Sequence, residues 1–300
     1  MDHFEENLAP FNQLSGKLLR KIRESKGYTQ KHVSQGIMRQ STYSKIEREE
    51  TEPSAPKLFA ILDRLEISVE EFLFIQGDYR HSKKGNIIYE FVSQKYNVPE
   101  ELEKLKSEVT DYLHYNEDPI VQDIQSIYEG LIIFGKTHDI RLARKHVQPV
   151  WDRLESFDEW HLTEIYLVNN ILYFFNADSA IHISDRAITQ LERYEGFRAS
   201  NSLRFNFQFN LVYLLIDNGQ FDKALVALES LILYAKQLKK HDMLAVCYAR
   251  KGVSMLKSGN TDGNLWIKRG TNMLKVIEED TLKKHLEEEV RAFLKHPSLR

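Results

Sequence analysis

Short punctuating motifs recur along this 300-residue chain at intervals close to 40 residues. Gly135-Lys-Thr-His-Asp139, Asn176-Ala-Asp-Ser-Ala180, Gly219-Gln-Phe-Asp-Lys-Ala224 and Gly259-Asn-Thr-Asp-Gly263 begin 41, 43 and 40 residues apart. Between them, apolar residues fall at helical spacing. Such a period means helical hairpins stacked side by side, because one hairpin cannot bury its apolar face alone. Sustained two-residue alternation is missing, and only seven prolines and thirteen glycines punctuate the chain. The fold class is therefore all-α. Asn86 to Val92 is the one stretch that reads equally as strand or helix. Pro149 is expected to kink or divide the helical pattern running from Ile140 to Leu154.

Charge is unevenly placed. Residues 17–48 hold nine Lys/Arg against Glu24 and Glu47, seven net positive charges in a chain whose formal net charge is −3. A basic block on an acidic body suggests a polyanion site confined to the N-terminus. Secretion and membrane insertion are not expected. Met1 to Ser15 is acidic and lacks the basic and apolar regions of a signal peptide. The longest uncharged apolar stretch, Ile165 to Ala177, is interrupted by Asn169, Asn170 and Asn176 and is shorter than the roughly 20 residues a spanning helix needs. The lone cysteine, Cys247, excludes an intrachain disulfide and fits a reducing cytoplasm; its apolar neighbours mark it as a buried small hydrophobe.

The basic block carries five short helices. Leu18, Leu19 and Ile22 share one face of the first, which Gly27 ends. Thr29 is suited to cap the second, with Val33 inward. Gly36 permits a tight turn, and a third helix begins near Gln40 with Tyr43 and Ile46 inward. Pro53 and Pro56 punctuate the next loop. Leu58, Ile61, Leu62 and Leu65 form a fourth helix, and Ser68 caps a fifth with Val69, Phe72 and Leu73 inward. Five helices in some 60 residues with a glycine turn between the second and third suit a helix-turn-helix. Its third helix enters the major groove of duplex DNA. The exposed residues there, Arg39, Gln40, Ser41, Thr42, Ser44 and Lys45, all carry hydrogen-bond donors and none is acidic. Gln40 can bond adenine in two places, and Arg39 can do so at guanine or hold a phosphate. Gln30, at the start of the second helix, can meet a phosphate. Arg23 and Lys31 complete the candidate DNA-binding set.

Arg23-x-x-x-Gly27-x-Thr29-Gln30-x-x-Val33, Ser41-Thr-Tyr-Ser-Lys-Ile-Glu47, Pro53-Ser54 and Leu65-x-Ile67-Ser-Val-Glu-Glu-Phe72 together resemble the XRE/Cro-type helix-turn-helix. The turn, Gly36-Ile-Met-Arg-Gln40, is one residue shorter than in most members. The domains expected are a DNA-binding module over 14–75, a linker over 76–98, and a helical-repeat regulatory and dimerisation domain over 99–300. The motif at Gly219 resembles the turn of a tetratricopeptide-like repeat. In such repeats the first helix of each pair lines a concave face. The corresponding stripes are Gln122, Gln125, Glu129, Ile132; Thr163, Tyr166, Asn170, Tyr173; and Asn206, Phe209, Tyr213, Ile216. Amides can bond an extended peptide's backbone while rings pack its side chains. Gln122, Gln125, Tyr166, Asn170, Tyr173, Asn206, Phe209 and Tyr213 are the candidate peptide-binding residues. Aromatic residues at this spacing also suit a plain core.

The whole arrangement is similar to the Rgg family of Gram-positive regulators, short turn included. That resemblance implies a cytoplasmic homodimer on promoter DNA with two half-sites, and control by a short hydrophobic signalling peptide (quorum sensing). Residues 1–246 hold no cysteine, so the intersubunit disulfide of some members is not expected. No CxxC, HExxH, P-loop or G-x-G-x-x-G is present, and no catalytic residue, metal or cofactor is expected. His138 and His146 stand eight residues apart, too far to share a metal on one helix. Two other readings remain open: a repeat scaffold that docks a partner protein, and a DNA-binding regulator that answers pH or a metabolite.

Overall fold

The first helices begin where short polar side chains satisfy free backbone amides. Ser15 Oγ accepts from Leu18 N at 3.2 Å at the head of α1 (Gly16–Ser25), and Thr29 Oγ1 accepts from His32 N at 3.1 Å at the head of α2 (Gln30–Ser34). The computed structural model describes residues 14–94, 97–137, 139–197 and 200–295. Gly27 (φ 69°) and Gly36 (φ 79°) end the first two helices in the left-handed conformation, which glycine adopts without a Cβ penalty. Helix α3 (Gln40–Glu47) follows, then α4 (Ala55–Arg64) and α5 (Val69–Gln76). Pro56 lies in the first turn of α4 rather than in the preceding loop; the missing N–H costs nothing there. Leu19, Val33, Tyr43, Ile61, Leu62, Leu65 and Phe72 form one core, each at most 1% exposed. Of the residues expected inward on α5, only Phe72 enters it. Val69 and Leu73 are 40% and 38% exposed, because Ser68 sets a register that turns one face alone toward the core.

The ambiguous stretch is helical. Helix α6 (Lys83–Ser93), capped by Ser82 Oγ on Gly85 N, buries Ile87 and Phe91 and packs with α7 (Pro99–Leu113). Helix α6 thus occupies 11 residues of the segment expected as a linker. Burying two such side chains contributes about 3–6 kcal/mol, which a bare linker would lack.

The chain divides into two compact units, residues 1–125 and 126–300. The division falls inside helix α8 (Pro119–Thr137). Helix α9 (Ile140–Glu155) is capped by Asp139 and runs on through Pro149, with Val147 and Val150 buried either side; Pro149 does not divide it. Next come α10 (Leu162–Ile171), a 3-10 turn over Leu172–Phe174, α11 (Ala177–Glu192), α12 (Ser200–Asp217) and α13 (Phe221–Gln237). The last three are α14 (His241–Lys257), α15 (Gly263–Val276) and α16 (Asp280–Lys295). Each recurring motif sits at the turn of a helix pair: α8/α9, α10/α11, α12/α13, α14/α15. Asn176 caps α11 on Ser179 N at 2.8 Å, and Gly219 and Gly259 take positive φ. In the last pair three glycines let the helices approach closely. A Cβ on Gly263 would stand 2.3 Å from Gly252 O, and one on Gly270 2.3 Å from Ala245 O. Helix α16 buries Leu282, Leu286, Val290 and Phe293 against this pair. No strand occurs among the described residues.

Candidate functional site

In the N-terminal unit the chemistry lies on α3. Arg39 stands at its N-cap with extended backbone (φ −68°, ψ 142°), so the helix starts at Gln40 as expected. Tyr43, Ile46 and Glu47 face inward. Lys31, Arg39, Gln40, Ser41 and Lys45 are exposed, and Thr42 and Ser44 half-buried. Among the described residues none of these seven side chains makes a hydrogen bond or ion pair. Their donors are free for an incoming acceptor.

Arg23 departs from this. It is 8% exposed; its Nε and Nη2 donate to Glu47 Oε1 and Oε2 at 2.6 and 3.0 Å, and Nη1 donates to Tyr28 O at 2.9 Å. With its donors spent inside the fold, Arg23 positions α3 and does not offer a phosphate contact. Gln30 is half-buried, its amide donating to Glu47 Oε2 at 2.8 Å, so it too is held by the same carboxylate. Burial alone would raise the Glu47 carboxyl, but the hydrogen bonds from Arg23 and Gln30 outweigh it and hold it below the usual range. Burial, and then the charge of Glu47, pushes the Tyr43 hydroxyl far above its ordinary value. A Cβ on Gly16 would meet Ile46 O at 2.0 Å, so α1 lies directly on the back of α3. Together these contacts make α3 a fixed ridge.

In the second unit the candidates converge on a polar-aromatic cluster. Tyr173 Oη donates to Asn210 Oδ1, and Asn210 Nδ2 donates to Asn169 Oδ1 at 3.1 Å. The Tyr173 ring stands edge-on to Tyr213, with centroids 5.8 Å apart. Arg250 Cζ lies 4.2 Å over Phe209 and 5.3 Å over Tyr213. The same guanidinium donates to Glu289 Oε1 and Oε2 at 2.8 and 3.0 Å and to Phe209 O at 2.9 Å. Burial would lower the Arg250 pKa, but the charge and hydrogen bonds of Glu289 raise it. Burial pushes the Tyr213 hydroxyl up to about 12 and the Tyr173 hydroxyl higher still. All three groups therefore keep their protons at neutral pH. Phe293 of α16 completes the cluster, 5.2 Å from Tyr213.

The remaining candidates divide. Tyr166 and Asn206 are half-buried, and neither the hydroxyl nor the amide makes a hydrogen bond among the described residues. Asn170 spends its Nδ2 on Tyr166 O at 3.0 Å. Tyr173 lies in the 3-10 turn beyond α10, so the regular stripe expected through it is broken. Ile132 and Ile216, at 8% and 3% exposure, belong to the core. Gln122 and Gln125 fall in the first unit, where Gln125 donates to Thr110 Oγ1 at 2.8 Å. His146 Nδ1 lies 3.1 Å from Glu129 Oε2; His138 lies outside the described residues. Cys247 is fully buried, and burial pushes its thiol up to about 12.

Sequence reasoning missed Asn169, Asn210, Arg250 and Glu289. A signal for them existed. They lie 41, 40 and 39 residues apart, at the period of the turn motifs, so they are equivalent positions of successive hairpins.

The profile of the family described as "HTH-type transcriptional regulator Rgg, C-terminal domain" matches residues 99–288, and one described as "Helix-turn-helix" matches residues 19–72. The chain belongs to the Rgg family of helix-turn-helix transcriptional regulators. Solved structures share its fold. A transcriptional-regulator structure from Listeria monocytogenes EGD-e is 22% identical, with a TM-score of 0.77 over 93% of this chain and 97% of its own. The SHP pheromone receptor Rgg2 of Streptococcus dysgalactiae is 20% identical, with a TM-score of 0.67 over 93% and 99%. PlcR of Bacillus thuringiensis, solved with the peptide PapR7 and DNA, is 16% identical, with a TM-score of 0.62 over 90% and 98%. At these identities the likeness is one of fold. In this Rgg-family chain no described helix is long and apolar enough to cross a membrane.

Proposed function

We propose that this regulator is a cytoplasmic homodimer that reads promoter DNA with the first turns of α3. On this reading a short hydrophobic signalling peptide, bound inside the helical-repeat domain over 99–300, controls it. DNA recognition rests on seven uncommitted side chains on and beside one rigid helix: Lys31, Arg39, Gln40, Ser41, Thr42, Ser44 and Lys45. Gln40 and Arg39 carry the base contacts, and Lys31 and Lys45 hold phosphates. Peptide binding rests chiefly on the half-buried, unbonded Tyr166 hydroxyl and Asn206 amide beside the Tyr173–Asn210–Asn169 chain. Half-buried polar groups without a protein partner are free to bond a peptide backbone in place of water. The rings of Tyr173, Phe209 and Tyr213 offer apolar contact beside them. Two similar structures fit this reading: Rgg2 is a pheromone receptor, and PlcR was solved with a peptide and DNA.

Calorimetry tests the peptide arm. A hydrophobic peptide of about eight residues, encoded beside the gene, should bind at about micromolar Kd or tighter, near −8 kcal/mol. Tyr166→Phe and Asn206→Ala should each weaken binding about 5- to 30-fold. Full affinity in both variants refutes the site. For DNA, Arg39→Ala and Gln40→Ala should each weaken a gel shift on the gene's own upstream region by about 1–3 kcal/mol. An unchanged shift removes α3 as the reading helix.

A further inference from the structure

The N-terminal block is not the chain's only concentration of positive charge. Residues 236–275 hold nine Lys/Arg against Asp242 and Asp262, again seven net positive charges. The remaining 228 residues outside both blocks then carry −17. Two of the nine cations bond an oxygen, Arg250 to Glu289 and Lys257 to Leu294 O, and a third, Lys240, stands over the Phe205 ring of α12. Lys236, Lys239, Lys251, Lys268, Arg269 and Lys275 remain, and none pairs with a carboxylate among the described residues.

Two of these six are already ordered. Lys251 Nζ stands 4.6 Å over the Trp266 ring; Arg269 Cζ stands 4.6 Å over Tyr248 and 5.4 Å over Trp266. A cation laid on a ring has given up much of its rotamer freedom while keeping outward N–H donors for an anion. The backbone beneath is equally fixed, because Gly252, Gly263 and Gly270 bring α14 and α15 into direct contact. Helix α15 contains no acidic residue, and its exposed residues include Lys268, Arg269, Asn272 and Lys275 beside the apolar Leu265 and Val276.

We propose that this face of α15, with Lys251, is a second DNA-binding surface that holds the phosphate backbone of a duplex. The segment 236–275 that carries it matches the helix-turn-helix block in net charge, and the face supplies four of its cations, in a chain that is otherwise strongly acidic. Lys268 and Lys275 stand about 10 Å apart along the helix axis. Duplex DNA presents about one charge per 1.7 Å, so every cation of the row meets phosphate whatever the base sequence. An acidic protein would have to match that spacing with contiguous carboxylates. The surface adds affinity without specificity, since no base edge is read.

Fluorescence anisotropy of the full chain on a random-sequence duplex of about 30 base pairs, across a salt series, tests this. K268E/R269E/K275E should lower the slope of log K against log salt by roughly 2 to 3, because each lost phosphate contact removes about 0.9. K223E/K284E/R291E, with the same change in net charge, should leave it unchanged. The loss should persist in an R39A/Q40A/K45A background, which separates this surface from the helix-turn-helix. Should the triple reversal disturb the circular dichroism spectrum, K268Q/R269Q/K275Q serves with the same sign. Equal slopes for the α15 variant and its control overturn the proposal. So does capture of polyglutamate by the wild type but not the variant with the DNA slope unmoved, which makes the face a dock for acidic protein.

Discussion

Replacing Arg23 with methionine removes the cation from a carboxylate that cannot reach water. Glu47 is 3% exposed, and three hydrogen bonds serve it: two from Arg23 at 2.6 and 3.0 Å and one from Gln30 at 2.8 Å. After the substitution only the Gln30 bond is left, and the charge stays buried. Breaking a buried pair in this way costs about 3–5 kcal/mol. At 1.4 kcal/mol per tenfold, that is roughly a 100- to 3,000-fold fall in hydrogen-exchange protection for the amides of α1 and α3. Mass spectrometry of the full chain reads those peptides directly. Amides of α12 to α14, in the other compact unit, serve as the internal control. The sign with pH differs between the two proteins. In the wild type the folded Glu47 pKa lies below its unfolded value. Its stabilisation is therefore complete above the unfolded value and is lost as pH falls through the range below it. In R23M burial is left as the main influence and raises the carboxyl. The deficit of the variant should shrink as pH falls from neutrality toward about 5. R23M/E47L should recover most of the protection, since an apolar pair of similar volume removes the stranded charge and Gln30 can turn to water. A fall of less than about tenfold in R23M would equate the pair with an exposed one and refute the reasoning.

Arg250→Met should loosen α16 selectively, lowering protection of its amides by about 3 kcal/mol or more, because Glu289 loses both its donors while Phe209 O loses one; unchanged protection over 280–295 would count against the pair as the tie. Gly270→Ala should lower the thermal midpoint by forcing a Cβ to within 2.3 Å of Ala245 O, at a cost of about 1–3 kcal/mol. A midpoint equal to the wild type would mean α14 and α15 can part without penalty. Cys247 should resist a thiol reagent in the native chain at neutral pH and react at once in denaturant, since its thiol is fully buried and pushed up to about 12. Rapid native labelling would contradict both observations.

Helix ends and hairpin turns were legible in the sequence because the chemistry that makes them acts over a few residues. Thr29 and Ser68 each bond an amide three residues ahead, as expected of caps, and Gly27, Gly36, Gly219 and Gly259 relieve the backbone where they stand. The repeat period was legible for a related reason: each hairpin faces the same packing problem as the last, so the same turn returns at the same interval. The start of α3 at Gln40 follows from that local logic, and with it the identity of the exposed donors on its first turn.

Which side chains those helices bring together was decided only when they packed. Arg23 reads as one more cation of a basic block until α1 lies on α3 and Glu47, 24 residues away, takes its donors. Val69 and Leu73 read as core until the single face of α5 is filled by Phe72. Asn170 and Asn206 sit on the expected stripes, yet the amides bonded from one hairpin to the next belong to Asn169 and Asn210, because the register of each helix against its neighbours selects the inner face. Helical periodicity states that some face is buried. Only the partner that covers it determines which polar group is paired, which is stranded and which is left for a ligand.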